Sequence, residues 1–156
     1  MQTYHQLSPK DRFAILEVLA QYYAANDEKD IIAALAVCTS DATIEGDFTM
    51  RATHQRADLE KIYATEPGKK RHLMLNPIVL EASKNEVRLQ HLMLVIEASV
   101  IPAAIATSKV IDVMRRTFRG WKIAMHRIEV DPSGKWMVQA AQKVQEVVEN
   151  VKQRFE

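Results

Sequence analysis

The sequence predicts an α+β domain in which N-terminal helices are followed by a mostly antiparallel sheet. Two observations support this prediction. Apolar residues recur at helical spacing as far as residue 65, whereas residues 71–130 form long runs separated by turn-forming residues. Successive antiparallel strands form a meander, so the helices that precede them must cover one face of the sheet. This order differs from the alternating helices and strands of a parallel sheet.

The first helix is predicted to start at Ser8-Pro9 and to end near residue 25. Serine caps helices, proline fits the first helical position, and the early Asp11 complements the helix dipole. The pair Asn26-Asp27 is expected to break the helix. At helical spacing, its buried stripe is predicted to contain Phe13, Ile15, Leu16, Leu19, Ala20 and Tyr23.

Two shorter helices and a pair of strands are predicted next. Asp30 is expected to cap a second helix whose buried face extends to Val37. A hairpin or a pair of edge strands is predicted between Thr43 and Met50, around Gly46-Asp47. A third helix is predicted from about Thr53 to Thr65.

The sheet is predicted to be a meander of four long strands. Ser83-Lys84-Asn85 and Arg119-Gly120 are turn sequences, and Pro102 marks a looser connection. These breaks define predicted strands at residues 71–83, 86–100, 106–118 and 121–130.

The final segment, residues 135–156, is predicted to be an amphipathic helix that extends beyond a domain formed by residues 1–134. Its apolar stripe contains Met137, Ala140, Ala141, Val144, Val147, Val148, Val151 and Phe155. A stripe of this length needs burial, either on its own domain or against a second copy. We expect a homodimer.

The composition is that of an ordinary cytoplasmic domain. With 156 residues and 47% hydrophobic residues, the chain can bury a single core. A net charge of +1 gives no reason to expect nucleic acid or a membrane as a partner. Cys38 is the only cysteine, which excludes an internal disulfide and fits a reducing compartment. No signal peptide or membrane-spanning run is apparent in the sequence.

Asp27, His72 and His91 are the candidate catalytic residues. Asp27 lies at the end of the first helix, and the histidines lie in neighbouring strands of the predicted meander. An acid that orients an imidazole can move protons near neutral pH. Each residue also has a structural interpretation, as a helix cap, a half-exposed strand residue and a buried core histidine, respectively. A metal site is disfavoured because the sequence lacks HxH and HxxxH spacing.

Two other polar features are assigned to structure. His126 has the opposite parity to Trp121 and Ile123 in the last strand, so its side chain is expected to face outward. The pair Arg115-Arg116 is expected to form a cross-strand ion pair with Glu97, Asp112 or Glu129. No glycine-rich phosphate loop is present in the sequence, so nucleotide binding is not expected.

Several short motifs follow one another in a characteristic order. They are Tyr-x-x-x-Asp-x-x-Asp at Tyr23, Asp27 and Asp30; Asp41-Ala42; Arg71-His72; Arg115-Arg116-Thr117; and Gly120-Trp121-Lys122-Ile123. Together they resemble the SnoaL-like family of the nuclear-transport-factor-two-like (NTF2-like) superfamily, which has a cystatin-like α+β cone. The resemblance covers residues 8–132 and implies a strongly curved sheet wrapped around the helices, with an apolar pocket inside the cone.

Within this superfamily, the catalytic pattern of scytalone dehydratase is the most similar. The resemblance implies matching pocket residues at Asp27, His72, His91 and Ser108. Asn26 and Gly46 stand where that enzyme has two tyrosines that polarise a carbonyl, and Val110 stands where it has an asparagine. The proton-moving residues are retained, whereas the electrophilic ones are replaced. Tyr22 or Tyr23 is a candidate substitute, although aromatic residues on this helix also fit a simple core role.

Two functional hypotheses follow. In the first, the protein is a lyase or isomerase, of dehydratase or ketosteroid-isomerase type, that acts without a cofactor on a small apolar carbonyl compound. In the second, the same pocket binds a small hydrophobic ligand without chemistry, or the chain is an assembly subunit. The expected ligand-binding residues are Tyr23, Asn26, Met74, Met93, Ser108 and Val110. No cofactor and no metal are expected.

Overall fold

A computed structural model describes residues 7–46, 49–53, 56–65, 68–99 and 103–132. The described elements are α1 (Pro9–Asp27), α2 (Ile31–Ala36), β1 (Cys38–Gly46), β2 (Thr49–Thr53), α3 (Arg56–Thr65), β3 (Lys70–Ala82), β4 (Glu86–Glu97), β5 (Ala103–Thr117) and β6 (Gly120–Val130). The predicted order of helices followed by a long meander is confirmed. The predicted C-terminal helix, residues 135–156, lies outside the described residues.

Helix α1 begins as predicted and ends two residues later than expected. The Ser8 side chain accepts a hydrogen bond from the Asp11 backbone N–H, and Pro9 occupies the first turn. The helix continues through Asp27 because the Glu28 N–H still bonds to the Ala24 carbonyl at 3.2 Å. The chain then reverses at Lys29, whose φ is 55°. Asp27 is therefore a residue of the last helical turn.

The buried face of α1 differs in part from the predicted stripe. The buried residues of α1 are Ile15, Leu19, Tyr22, Tyr23 and Ala25. Phe13 was expected in this stripe but is 72% exposed. It precedes Ile15 by two positions, and two positions correspond to about 200° around a helix of 3.6 residues per turn. Position 13 therefore faces away from the core.

The two shorter helices confirm one predicted boundary and correct another. The Asp30 side chain accepts a hydrogen bond from the Ala33 N–H, so Asp30 caps α2 as predicted. Helix α3 begins at Arg56 rather than near Thr53, because Thr53 pairs with Thr43 in the sheet. None of the helices in the described ranges is long and apolar enough to cross a membrane.

The six strands form one sheet in the order β2-β1-β6-β5-β4-β3. Strands β3 to β6 make the predicted antiparallel meander, and β1 joins it through a parallel pairing with β6. Every neighbouring pair contains a register shift. Such irregularities bend strands, and here they accompany the curvature that wraps the sheet around the helices.

The inner face of the sheet places two titratable side chains in the core. In β4 the buried positions alternate, so His91 lies between Leu89 and Met93 on the face that meets α1. In β5 the buried inner residues include Ser108, Val110 and Asp112. Because β4 and β5 pair with His91 opposite Val110, Asp112 lies diagonally beside His91.

Gly46 provides a test of the parallel pairing between β1 and β6. Its φ is 143°, and a side chain there would meet the backbone carbonyl of Ile128. We expect Gly46→Ala to lower the free energy of unfolding by about 2 to 4 kcal/mol, through backbone strain and overpacking. Gly120→Ala is the matched control, because its φ is 105° and a Cβ there meets open space. It should cost about 1 kcal/mol. Equal losses in urea denaturation would contradict this account of the pairing.

Candidate active site

Asp27 and His72 form a hydrogen-bonded pair. His72 Nδ1 lies 2.7 Å from Asp27 Oδ1, and the His72 backbone N–H donates to the same oxygen at 3.1 Å. Both side chains are largely buried, with 14% of His72 and 12% of Asp27 exposed. A carboxylate can only accept, so Nδ1 carries the hydrogen and the Nε2 lone pair is available to take a proton.

The second oxygen of Asp27 faces a cation. Arg71 Nη1 lies 3.8 Å from Asp27 Oδ2 and 3.0 Å from Glu28 Oε1. The last turn of α1 and the first residues of β3 are therefore joined by a backbone hydrogen bond, an imidazole and a guanidinium. This arrangement fixes the carboxylate and, through it, the orientation of the His72 ring.

Tyr23 lies between the two candidate histidines. Its ring stacks on His72 with centroids 6.0 Å apart and an interplanar angle of 16°. Its hydroxyl oxygen lies 3.1 Å from His91 Nε2, and the two rings are almost perpendicular. Because Tyr23 precedes Asp27 by four residues, both point from the same face of α1. One helix face thus contacts both histidines.

Asp112 is a site residue that the sequence reasoning missed. Its side chain is fully buried, and its two oxygens lie 3.0 Å from His91 Nε2 and 2.6 Å from His126 Nδ1. Burial raises the pKa of Asp112, but the positive charge of the histidine pair and the hydrogen bonds from both histidines outweigh burial, so the pKa lies below its usual value. The available signal was parity, because Asp112 alternates with Ser108 and Val110 on the inner face of β5.

The predicted outward orientation of His126 is wrong. His126 is buried, with its ring against Tyr22 and Tyr23. The register between β5 and β6 shifts by one residue, because Val113 pairs with Met125 whereas Met114 pairs with Ile123. The extra residue exchanges the two faces of the strand, so side chains after it have the opposite parity.

The arginine pair also has different partners from those expected. Arg115 binds Asp41 at 2.9 Å, and Arg116 binds Asp11 at 2.7 Å. Arg116 also lies over the Trp121 ring, 4.4 Å from its centroid, and the Trp121 indole N–H donates to Asp11 at 2.9 Å. These contacts hold the start of α1 to the end of the β5–β6 hairpin.

The remaining predicted ligand-binding residues have varied surroundings. Asn26 donates to the Tyr22 carbonyl at 2.8 Å and accepts from the Tyr63 hydroxyl at 2.7 Å, so its amide joins α1 to α3. Met93 and Val110 are buried on the inner face, and Met74 is half-buried. Ser108 is also buried, and its hydroxyl oxygen has no hydrogen-bond partner among the described residues.

Two cavities lie outside this group of residues. One, of about 30 Å³, is lined by residues of α1, β3 and β4 that include Ile15 and Leu89. The other, of about 350 Å³, is an open polar site that includes Arg115 and Lys122. Neither cavity is lined by Asp27, His72 or His91. Within the described ranges, no three His, Cys, Asp or Glu side chains are arranged to hold a metal ion.

The buried carboxylate gives a stability prediction. We expect Asp112→Asn to lower the free energy of unfolding by about 3 kcal/mol at neutral pH, because it breaks a buried ion pair. Folding lowers the pKa of Asp112. Its contribution is therefore present above the unfolded pKa of about 3.9 and is lost as the pH falls through the lower folded pKa. The difference from the wild type, measured by urea denaturation, should shrink in acid.

Asp41→Asn is the control for this measurement. Asp41 is an exposed carboxylate that also binds an arginine, so its loss should destabilise the protein much less than the loss of Asp112. A loss at Asp112→Asn that is independent of pH would show that the carboxylate charge is not what stabilises the protein.

Comparison with known proteins supports the fold through structure rather than sequence. No protein-family model and no curated protein matches the chain. A protein of unknown function from Nostoc punctiforme with a cystatin-like fold is 25% identical, with a TM-score of 0.74 over 81% of this chain and 96% of that chain. An NTF2-like protein from Novosphingobium aromaticivorans, also with a cystatin-like fold, is 17% identical, with a TM-score of 0.68 over 82% and 88%.

A third similar structure, from the same organism, is provisionally named a scytalone dehydratase. It is 16% identical, with a TM-score of 0.67 over 78% of this chain and 85% of that chain. These likenesses confirm the fold that the motifs predict. The chain therefore has a cystatin-like α+β fold.

Proposed function

We propose that this protein is a cofactor-independent lyase or isomerase that acts on a small apolar carbonyl compound. The observation that carries the proposal is the 2.7 Å contact between His72 Nδ1 and Asp27 Oδ1, which leaves Nε2 as a base. A fold shared with a protein provisionally named a scytalone dehydratase makes dehydration one candidate reaction.

In the proposed reaction, His72 Nε2 removes a proton from the carbon next to the substrate carbonyl. The electrons of that C–H bond move towards the carbonyl and form an enolate. Asp27 stabilises the imidazolium that results, because it already accepts the Nδ1 hydrogen bond. His72 then returns the proton to another carbon in an isomerase, or to a departing hydroxyl group in a dehydratase.

We propose that His91 and Ser108 act beside the leaving group of the substrate. Both residues lie on the inner face of neighbouring strands, where Ser108 pairs with Met93 and His91 pairs with Val110. A buried hydroxyl without a partner costs free energy unless a ligand or a water satisfies it. The Ser108 hydroxyl can hold a hydroxyl group of the substrate.

Entry of a substrate into this region requires side chains to move. Met93, Val110 and Ser108 are each less than 5% exposed. Methionine is unbranched and adapts its shape readily, so Met93 and Met74 are the residues we propose to yield to a ligand.

The alternative function is binding of a small hydrophobic ligand without chemistry, or a role as an assembly subunit. It is favoured by the close packing around His91, which keeps solvent from that side chain. If the purified protein carries a bound compound, mass spectrometry of that compound before and after incubation distinguishes ligand binding from catalysis. A compound released unchanged after incubation favours binding, and a converted compound favours catalysis.

We also propose that the chain is a cytoplasmic homodimer with a cone domain at residues 1–134 and a helical extension at residues 135–156. The outer face of the sheet offers one contact surface, because it carries exposed apolar side chains. They are Leu73, Leu75, Ile78 and Leu92. Leu75 and Leu92 face each other across β3 and β4, so the apolar surface is continuous. The stripe of residues 135–156 offers the other surface.

Replacement of His72 tests the proposed catalysis. Once a carbonyl substrate is found by screening, His72→Ala should lower kcat by about 10² to 10⁴ without a large change in thermal stability. Asp27→Asn should lower kcat as well, because an amide no longer stabilises the imidazolium. Lys109→Gln, at an exposed ion pair on the outer face, is the control and should retain activity. Full turnover by His72→Ala would reject the assignment.

The mass of the full-length protein in solution tests the homodimer. Light scattering should give twice the mass of one chain. The double replacement of Leu75 and Leu92 by Glu should give monomers if the outer face forms the contact, because it buries two charges in an apolar interface. Deletion of residues 135–156 should give monomers if that segment forms the dimer contact. Phe118→Glu, at the exposed β5–β6 turn, is the control. A monomeric wild type would contradict the proposal.

A further inference from the structure

Both ring nitrogens of His91 face hydrogen-bond acceptors. Nδ1 lies 3.2 Å from the Leu92 carbonyl oxygen, and Nε2 lies 3.0 Å from Asp112 Oδ2. A carbonyl has no hydrogen to donate, so Nδ1 must carry one. If Asp112 is ionised, it also has none, and Nε2 must carry the second. This arrangement satisfies every contact only when His91 is an imidazolium.

The surroundings of Asp112 favour its ionised form. His126 Nδ1 donates to its other oxygen at 2.6 Å, and the hydrogen bonds and charge of the histidines keep the pKa of Asp112 low. With Asp112 as a carboxylate and one histidine as an imidazolium, the buried cluster of Asp112, His91 and His126 has no net charge, which limits the cost of desolvation. The groups that face His91 are Tyr23 from α1 and Asp112 from β5, and His126 from β6 acts through Asp112.

His126 is a less suitable carrier of the positive charge than His91. Its Nδ1 faces Asp112, but no acceptor for its Nε2 is found in the described part of the chain. The rings of Tyr22 and Tyr23 flank it instead, at centroid distances of 5.1 Å and 6.0 Å. A neutral His126 with its hydrogen on Nδ1 satisfies the contact that it makes with Asp112. His91, which has an acceptor beside each ring nitrogen, is therefore the better placed of the two to hold the second proton.

The protonation of His91 decides the direction of the Tyr23 hydrogen bond. His91 Nε2 lies 3.1 Å from the Tyr23 hydroxyl oxygen. A protonated Nε2 has no lone pair to accept from Tyr23. Its one hydrogen is shared between Asp112 Oδ2 and the Tyr23 oxygen, so the Tyr23 hydrogen is released to point elsewhere. Burial and the charge of Asp112 raise the pKa of Tyr23, which keeps its hydroxyl protonated. The stacking of Tyr23 on His72 holds this donor beside the proposed base.

We propose that Asp112 and His126 are positioning residues that keep His91 doubly protonated, so that Tyr23 presents its hydroxyl hydrogen to the carbonyl oxygen of the substrate. The second half of this statement rests on the proposed function. When His72 removes a proton beside the carbonyl, the enolate oxygen that forms receives the Tyr23 hydrogen bond. Tyr23 thereby supplies a carbonyl-polarising hydroxyl. Asn26 and Gly46 stand where the resemblance would place the two tyrosines that polarise the carbonyl.

Nitrogen NMR of the full-length protein, labelled in its histidine rings, tests the first half without a substrate. We expect both nitrogens of His91 to be protonated at neutral pH, whereas His72 carries a hydrogen on Nδ1 alone. In Asp112→Asn, His91 should lose one of its two ring protons. Asp41→Asn should leave the His91 signals unchanged. An unprotonated His91 nitrogen in the wild type overturns the proposal, and this result does not depend on whether Asp112→Asn folds. In a folded Asp112→Asn variant, unchanged His91 signals overturn the role of Asp112.

Tyr23→Phe tests the second half. It should leave His91 doubly protonated, because Asp112 still accepts the Nε2 hydrogen, and lower kcat by about 10²-fold through loss of one donor to the enolate. An unchanged kcat overturns the role of Tyr23. A protein that turns over no carbonyl compound contradicts the proposed function and the role of Tyr23 together. The NMR result still decides the protonation of His91 independently.

Discussion

The carboxylate of Asp112 constrains much of the sheet. A fully buried charge is costly unless it is paired and hydrogen-bonded, and Asp112 finds its two partners on the strands to either side of it. His91 comes from β4 and His126 from β6, so this single side chain links three neighbouring strands. Any slip of β6 by one residue would turn His126 to the outer face and leave an oxygen of Asp112 without its donor. The register shift after Ile123 is therefore part of the same arrangement.

Helix α1 is fixed at both ends by charged contacts with the sheet. Near its start, Asp11 accepts from the Trp121 indole and binds Arg116. In its last turn, Asp27 binds the backbone and the ring of His72. Between these points, Leu19 and Tyr23 are buried against the inner face. The helix therefore holds Tyr23 at a defined depth in the cone, which is what the contacts to His72 and His91 require.

The two carboxylate–histidine groups differ in their exposure to solvent. Asp27 and His72 keep a small accessible fraction, whereas the side chains of His91 and Asp112 are inaccessible. Burial strengthens electrostatic interactions, so the inner group suits a fixed ion pair and the outer group suits exchange of protons with a ligand. Tyr23 contacts both groups and provides the physical connection between them. In the proposed reaction, the outer histidine moves the proton and the inner histidine sets the direction of a hydrogen bond.

The order of the elements and the two helix caps could be read from the sequence alone, and so could Asp27 and His72 as candidates for one site. These follow from local rules, namely capping, periodicity and turn residues, and from a motif order shared with a known fold. The parallel pairing of β1 with β6, the inward orientation of His126 and the contacts of Asp112 emerge only in the folded chain. Each of these depends on contacts between residues distant in the chain. The one-residue shift between β5 and β6 leaves no local mark in the sequence, yet it reverses which side chains of β6 enter the core.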